Sequence, residues 1–214
     1  MLMDNIIVRA LSRVSDLILL NILWIICSLP VVTIGASTTA LYSVMLKMAA
    51  NEEGYILRGF LGGFRKNWKQ STMVWMVLLL TGAVIGADFM IVRRMPGGLG
   101  SAGMVLTGAA ALIYLIEIVF VFPLIAKFEN TTLHMMKNAI LIPAARFPFM
   151  ALVMLLIGMC IALTFLNTMT ILAGAVIWCL IGVSLLAYAN SFLLLGMFRP
   201  FLNREEDTVN MKKQ

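Results

Sequence analysis

Charge is scarce in this chain. Asp, Glu, Lys and Arg make up 12% of its 214 residues, about half the ~25% of an ordinary soluble domain. The excess is apolar, 62% hydrophobic against roughly 45–50%. One core of a chain this long cannot hide that much apolar surface from water, so the solvent is lipid. Histidine occurs once, at His134, and the three cysteines, Cys27, Cys160 and Cys179, all lie inside apolar runs. No CxxC or other metal spacing exists, so no metal ligand set is proposed and the thiols read as small buried hydrophobes. There is no P-loop, no pair of catalytic carboxylates, no nucleophile beside a base and no HExxH. The sequence therefore offers no basis for enzymatic activity and implies no cofactor.

What is present is a series of long apolar runs. Residues 71–92 and 102–126 are each long enough to cross ~30 Å of hydrocarbon. Residues 148–167 and 171–197 are two more, split by a tight turn at 167–170. The net charge of +6 does not point to nucleic acid. The basic residues fall between the runs, where they orient spans by the positive-inside rule. Arg9 and Arg13 precede an apolar stretch as in a secretory signal, but "IGA" at 34–36 puts Ile at the first cleavage position. An uncleaved first span is expected.

That first region carries a break. Residues 14–29 are helical in pattern, and Pro30 disfavours helix at Leu29. Gly35 permits a turn, and Ser37, Thr38 and Thr39 can cap a new helix. The second helix, to about Ala50, would cover only ~20–25 Å, with Lys47 snorkelling to the headgroups. A hairpin here gives six crossings and leaves only Arg93 and Arg94 outside. A single crossing gives five, and its better orientation also puts Arg9 and Arg13 outside. Charge favours six. The expected fold is thus an all-α polytopic membrane protein. One transmembrane domain over 1–201 forms three helical hairpins, and a short polar tail follows over 202–214. Both termini are expected in the cytoplasm, and the membrane expected is the bacterial plasma membrane.

Two cytoplasmic amphipathic connectors join the hairpins. In the first, 51–70, Ile56, Leu57, Phe60, Leu61, Phe64 and Trp68 form one apolar stripe, with Arg58, Arg65 and Lys69 opposite. It reads as an interfacial helix facing anionic headgroups, or as a docking face for a cytoplasmic partner. Glu52 and Glu53 suit the start of its dipole. In the second, 127–147, Leu133, Met136, Ile140 and Leu141 form a rougher stripe ended by Pro143 and Pro148. His134 reads as an interfacial side chain.

Ionisable groups inside spans are the default functional candidates. Glu117 is the deepest, with Asn21, Asn190, Ser191 and Tyr188 as donors on other helices. Asp88 is placed to meet Arg93 or Arg94, and Arg13 and Asp16 to pair at i, i+3. Gly82 and Gly86 form a small-xxx-small face.

At "LNILWIICSLPVVTIGASTTALYSVMLKMAANEEGYILRGFLGGFRKNWKQST" the chain resembles the YesL-like family of small bacterial membrane proteins of uncharacterised function. "FPLIAKFENTTLHMMKNAILIPAARFP" resembles that family's second recurrent block. Its members often belong to carbohydrate-utilisation gene sets beside sugar-importing ABC transporters. The resemblance implies an accessory component of oligosaccharide uptake, with sugar ABC permease subunits and the lipid bilayer as partners. It supplies no ligand residues and no oligomeric state. A transport protein in its own right, with Glu117 in the solute path and broken helices at Pro30 and Gly35, is the second reading. A structural scaffold is the third.

Overall fold

The computed structural model describes residues 2–52 and 54–211, with side chains at 8, 11–52 and 54–201. Expectations resting on Glu53, Lys212 and Lys213, or on the side chains of Arg9 and Arg204, lie outside the described residues. No strand occurs among the described residues. Six helices are long and apolar enough to cross a membrane. The chain is an all-α, multi-pass membrane protein.

Helix α1 runs Leu2–Ser28. Pro30 breaks it as expected, and a single 3-10 turn, Val31–Thr33, leads into α2, Ile34–Ala49. The restart comes earlier than the caps predicted. Ser37, Thr38 and Thr39 lie inside α2, and the residue before it, Thr33, makes no side-chain cap. Gly35 is helical rather than a turn residue. Its role is close approach: a Cβ there would sit 2.6 Å from the Ser71 carbonyl oxygen, 2.7 Å from Trp75 Cβ and 2.9 Å from the Phe122 ring. With the 3-10 turn, the return leg Val31–Ala49 reaches ~30 Å, which removes the shortfall expected for α2 alone.

Helix α2 ends in a Schellman motif. The Glu52 N–H donates to the Lys47 carbonyl at 2.9 Å and the Asn51 N–H to Met48 at 3.2 Å. Asn51 takes the left-handed φ of 57°, a role asparagine fills when glycine is absent.

Helix α3, Ile56–Val92, is one helix of 37 residues, ~55 Å long. The first connector is therefore not a separate interfacial helix but the opening turns of the third span. No proline interrupts 51–92, and two of the glycines that weaken a free helix are packing sites. A Cβ on Gly63 would meet Ser43 Oγ at 2.2 Å, and one on Gly59 would touch Val44 at 3.4 Å. The first-hairpin tip meets α3 at Ser71 and Trp75, so residues 76–92, about 25 Å of helix, continue past it.

Helix α4, Gly98–Lys127, returns along that extension and leads to α5, Thr132–Ala145. The α5 stripe is displaced from the expected one. Met135, Ala139, Ile142 and Pro143 are buried, whereas Leu133 and Leu141 face outward. Met136 and Ile140 sit at the edge of that face, because the α4 end approaches α5 about a third of a turn away from the predicted side. Helix α6, Phe147–Thr164, opens on Pro148 in its first turn. Asn167 and Thr170 then form a reciprocal capping box at the start of α7, Thr168–Ile177. The sixth span continues through a π-helical turn, Trp178–Gly182, into α8, Val183–Met211.

Two cores result. One gathers the end of α4, α5, the start of α6 and α8 around Phe120, Leu124, Met135 and Phe198. The other joins α1, α2, the start of α3 and α8 around Leu20, Leu41, Met45 and Phe60. Tyr42 packs against both. Helix α2 is the axis of the molecule: 56% of its span is buried, against 6% of the α6 span.

Candidate functional site

The polar side chains within the spans form two bonded groups and a few isolated members. The first group surrounds the hairpin tip. Ser28 and Ser37 share a hydrogen bond of 2.5 Å, and the Trp24 indole N–H donates to Thr38 Oγ1 at 3.1 Å. Thr33 Oγ1 donates to the Cys27 carbonyl at 2.6 Å, spanning the turn. These bonds tie α1 to α2. Thr39 and Ser71, both fully buried, share a bond of 2.8 Å, and the Trp75 N–H donates to the Val31 carbonyl at 2.8 Å. These tie α2 to α3. The hydroxyls that read as caps bond back to carbonyls of their own helix, Ser37 to Ile34 and Thr39 to Gly35, and sideways to neighbours.

The second group centres on Asn21, which is fully buried. Its amide nitrogen donates to the carbonyls of Trp178 at 3.1 Å and Cys179 at 2.7 Å, and its oxygen accepts from the Ser184 N–H at 3.1 Å. A π turn breaks the i→i−4 ladder and releases backbone groups. One asparagine on α1 satisfies three of them, which fixes α1 against the sixth span. Nothing in the sequence pattern marked Trp178–Gly182 as π-helical.

The remaining candidates do not converge. Asp88 accepts a hydrogen bond from Thr107 on α4. That partner replaces the expected Arg93 or Arg94, because α3 and α4 run side by side here. Glu117 is half-buried, and no donor reaches it from the expected Asn21, Asn190, Ser191 or Tyr188. Asn21 is used by the π turn, and Ser191 bonds to the Ala187 carbonyl at 2.8 Å. Asn190 is buried, and its amide lies close enough to the Tyr42 hydroxyl to interact with it, though without a well-formed hydrogen bond. Arg13 donates to the Met48 carbonyl at 3.4 Å, joining the middle of α1 to the end of α2.

The predicted docking stripe on α3 splits in two. Phe60 is buried in the α1–α2 core, with Ile56 and Phe64 packed against it. Leu57, Leu61 and Trp68 face outward with Arg58, Arg65 and Lys69. Apolar and basic groups therefore share the exposed face instead of opposing each other. The Arg58 guanidinium lies 5.4 Å over the Tyr55 ring, and Lys69 lies 5.8 Å from the Trp68 ring. A cavity of about 240 Å³ opens beside this face, lined by Lys47, Glu52, Tyr55 and Arg58. Lys66 pairs with Glu129, and Gln70 donates to the Asn130 carbonyl at 2.8 Å. The Lys66 hydrogen bond and charge hold the Glu129 carboxyl below the usual carboxylate range. His134 is exposed and shares a bond of 2.6 Å with Thr131.

A second cavity, about 320 Å³ and largely apolar, lies between α6 and the π turn, lined by Cys160, Thr164, Gly174, Trp178 and Gly182. The Trp178 N–H closes one side by donating to Thr164 Oγ1 at 3.0 Å.

A comparison with known families finds a match, over about a third of the chain. A family model described as "Protein of unknown function, DUF624" matches residues 17–89, and YesL-like proteins belong to that family. The match takes in α2, the hairpin tip and most of α3, and with them the first of the two blocks that carried the resemblance. No curated protein matches the chain, and no solved structure does.

Proposed function

We propose that this chain is an accessory, non-enzymatic membrane protein of oligosaccharide uptake. It packs against a sugar-importing ABC permease through helix faces, or docks it from the cytoplasm through the exposed face of residues 57–69. One observation carries this reading: α6 and α7 bury a single residue each, Val153 and Gly174. Two helices at the margin of the bundle thus keep much of their surface for contacts beyond the chain, whether lipid or protein, although Phe149, Met150, Met154 and Ile157 of α6 pack on the core. The YesL-like resemblance supplies the sugar-uptake setting and the bacterial plasma membrane. The exposed Arg58, Arg65 and Lys69 favour a cytoplasmic position for that face and for both termini.

The alternative is a permease component in its own right, with Glu117 in the solute path. The buried Asn190 amide, which makes no well-formed hydrogen bond, favours it, since a polar group buried in a span is a default transport candidate. Against it, Asn21, Ser37, Thr39, Ser71 and Asp88 are engaged in bonds between helices.

Co-purification separates the two. The tagged full chain, co-expressed with the sugar permease of its own gene set and extracted in mild detergent, is expected to bring the permease down. Migration without the permease, together with uptake by the purified chain in liposomes, overturns the accessory reading.

A further inference from the structure

The hollow where the end of α2 meets the start of α3 has a charge pattern that helix packing does not explain. Its floor is apolar: Val44 and Met48 of α2, both buried, with Ile56 of α3 beside them. The two helices close beneath it at Gly59, where a Cβ would touch Val44 at 3.4 Å. Its rim carries Lys47 from α2 and Arg58 from α3, with Glu52 and Tyr55 on the turn between them. Neither cation pairs with a carboxylate among the described residues, Glu52 included. Arg58 rests over the Tyr55 ring at 5.4 Å and makes no hydrogen bond among the described residues, so its N–H donors stay free.

A second hollow, about 330 Å³, adjoins the first at Arg58 and follows α3 past Leu57, Leu61 and Gly62 to Arg65. Gly62 is what opens it. Gly59 and Gly63 face α2, but a Cβ on Gly62 would meet nothing within 4 Å. Leu57 and Leu61, exposed and one helical turn apart, line this groove. The groove runs toward the apolar stretch at 71–92. The first hollow lies at the last turn of α2, the end of the membrane-length leg Val31–Ala49. A cationic pocket and an apolar groove thus join at the membrane surface, with the groove leading toward hydrocarbon.

We propose that these joined hollows bind one anionic phospholipid, its phosphate between Lys47 and Arg58 and an acyl chain in the groove over Gly62. Charge complementarity selects the head. A guanidinium meets two phosphate oxygens through parallel N–H donors, and an ammonium adds a point charge. Lys47 and Arg58 against Glu52 leave the rim with one net positive charge, which matches a phosphodiester monoanion better than a phosphate dianion. The groove selects the source. A free phosphate has no tail to cover Leu57 and Leu61, whereas an acyl chain keeps both from water. The site goes beyond the accessory reading and stands without it, because a lipid at Arg58 leaves α6 and α7 as faces for a permease.

The test is native mass spectrometry of the purified full chain, mixed in detergent with equal amounts of phosphatidylglycerol and phosphatidylcholine. No permease enters it, so its failure is distinct from failure of the co-purification. One phosphatidylglycerol per chain is expected, retained about tenfold or more over phosphatidylcholine, since each cation near a headgroup gives roughly a fivefold preference. Lys47→Gln and Arg58→Gln should each cut that retention about fivefold. Lys137→Gln, which removes an exposed cation on α5, should leave it unchanged. Gly62→Leu fills the groove, removes no charge and favours the helix, and it should also lower retention. Millimolar inorganic phosphate should not displace the lipid. Equal retention of the two lipids, an equal loss in Lys137→Gln, full retention in Gly62→Leu or displacement by inorganic phosphate would each overturn the proposal.

Discussion

The tip of the first hairpin and the far half of the second are built on opposite terms. Around Pro30 and Gly35, three helices meet so closely that one glycine hydrogen touches the backbone or side chains of Ser71, Trp75 and Phe122. At least five hydrogen bonds stitch that junction. Over the next ~25 Å of α3, the far half holds to α4 through small-residue contacts at Gly82 and Gly103 and the single Asp88–Thr107 bond. Its remaining surface faces outward. In lipid, apolar burial between helices contributes little, because the solvent is as apolar as the side chains. Close packing and polar bonds must supply the specificity. The tip has both, and the far half has little of either. The tip thus defines the fold, and the far half is available to other contacts.

Substitutions can break or sharpen this contrast. The largest effect is expected at Gly35→Ala, where the added methyl meets a carbonyl oxygen and a Cβ that cannot swing away. A loss of about 3 kcal/mol or more is expected, read as a lowered midpoint in detergent unfolding. Gly86→Ala in the far half, where a Cβ meets nothing within 4 Å, should gain up to about 1 kcal/mol from helix propensity. If both changes destabilise equally, the contrast fails.

Asn21→Leu comes next. It leaves the Trp178 and Cys179 carbonyls and the Ser184 N–H unpaired, at a cost of about 2–3 kcal/mol. Faster hydrogen exchange at 178–184, with little change at 98–110, is the expected signature. Thr39→Val should cost about 1 kcal/mol by removing the bond to Ser71. Thr81→Val in the far half removes only an exposed bond to the Val77 carbonyl and should leave the midpoint in place.

The smallest effect concerns the Lys66–Glu129 pair on the exposed connector. Its native carboxyl value is lowered by Lys66. The pair's contribution is therefore present above the unfolded value and lost as pH falls through the lowered native one, below about pH 4. Proteolysis of the 128–131 loop in wild type and Lys66→Ala should differ slightly at neutral pH and converge in acid. A difference that persists in acid would assign the effect to packing.

Much of the scaffold was legible in the residues. Six apolar runs, the break at Pro30 and the basic clusters between runs led to three hairpins, and six membrane-length helices are present. The details that failed share one cause. A hydroxyl near a helix start reads as a cap, but in lipid the same hydroxyl is worth more to a neighbouring helix, as at Ser37 and Thr39. A glycine read as turn or weakness can equally mark where another backbone arrives, as Gly35, Gly59 and Gly63 do. The exposed face at Arg58, Arg65 and Lys69 was legible in part, since charge shows in composition but the partner helix that takes Phe60 does not. Asn21 read as a donor for Glu117, whereas the partner it has, an unwound turn in the sixth span, leaves no periodic trace.

That partnership has a consequence for how the chain is made. Asn21 enters the membrane in the first helix, but the carbonyls it binds belong to residues 157 and 158 positions later. At roughly 5–20 residues per second, the first helix waits on the order of 10–30 s before its amide can find them. Until then the helix that carries Asn21 cannot lock to its partner, so this part of the bundle closes only after residues 178–184 have been made. A chain stalled or truncated before Trp178 would expose that amide to whatever inspects unfinished membrane proteins.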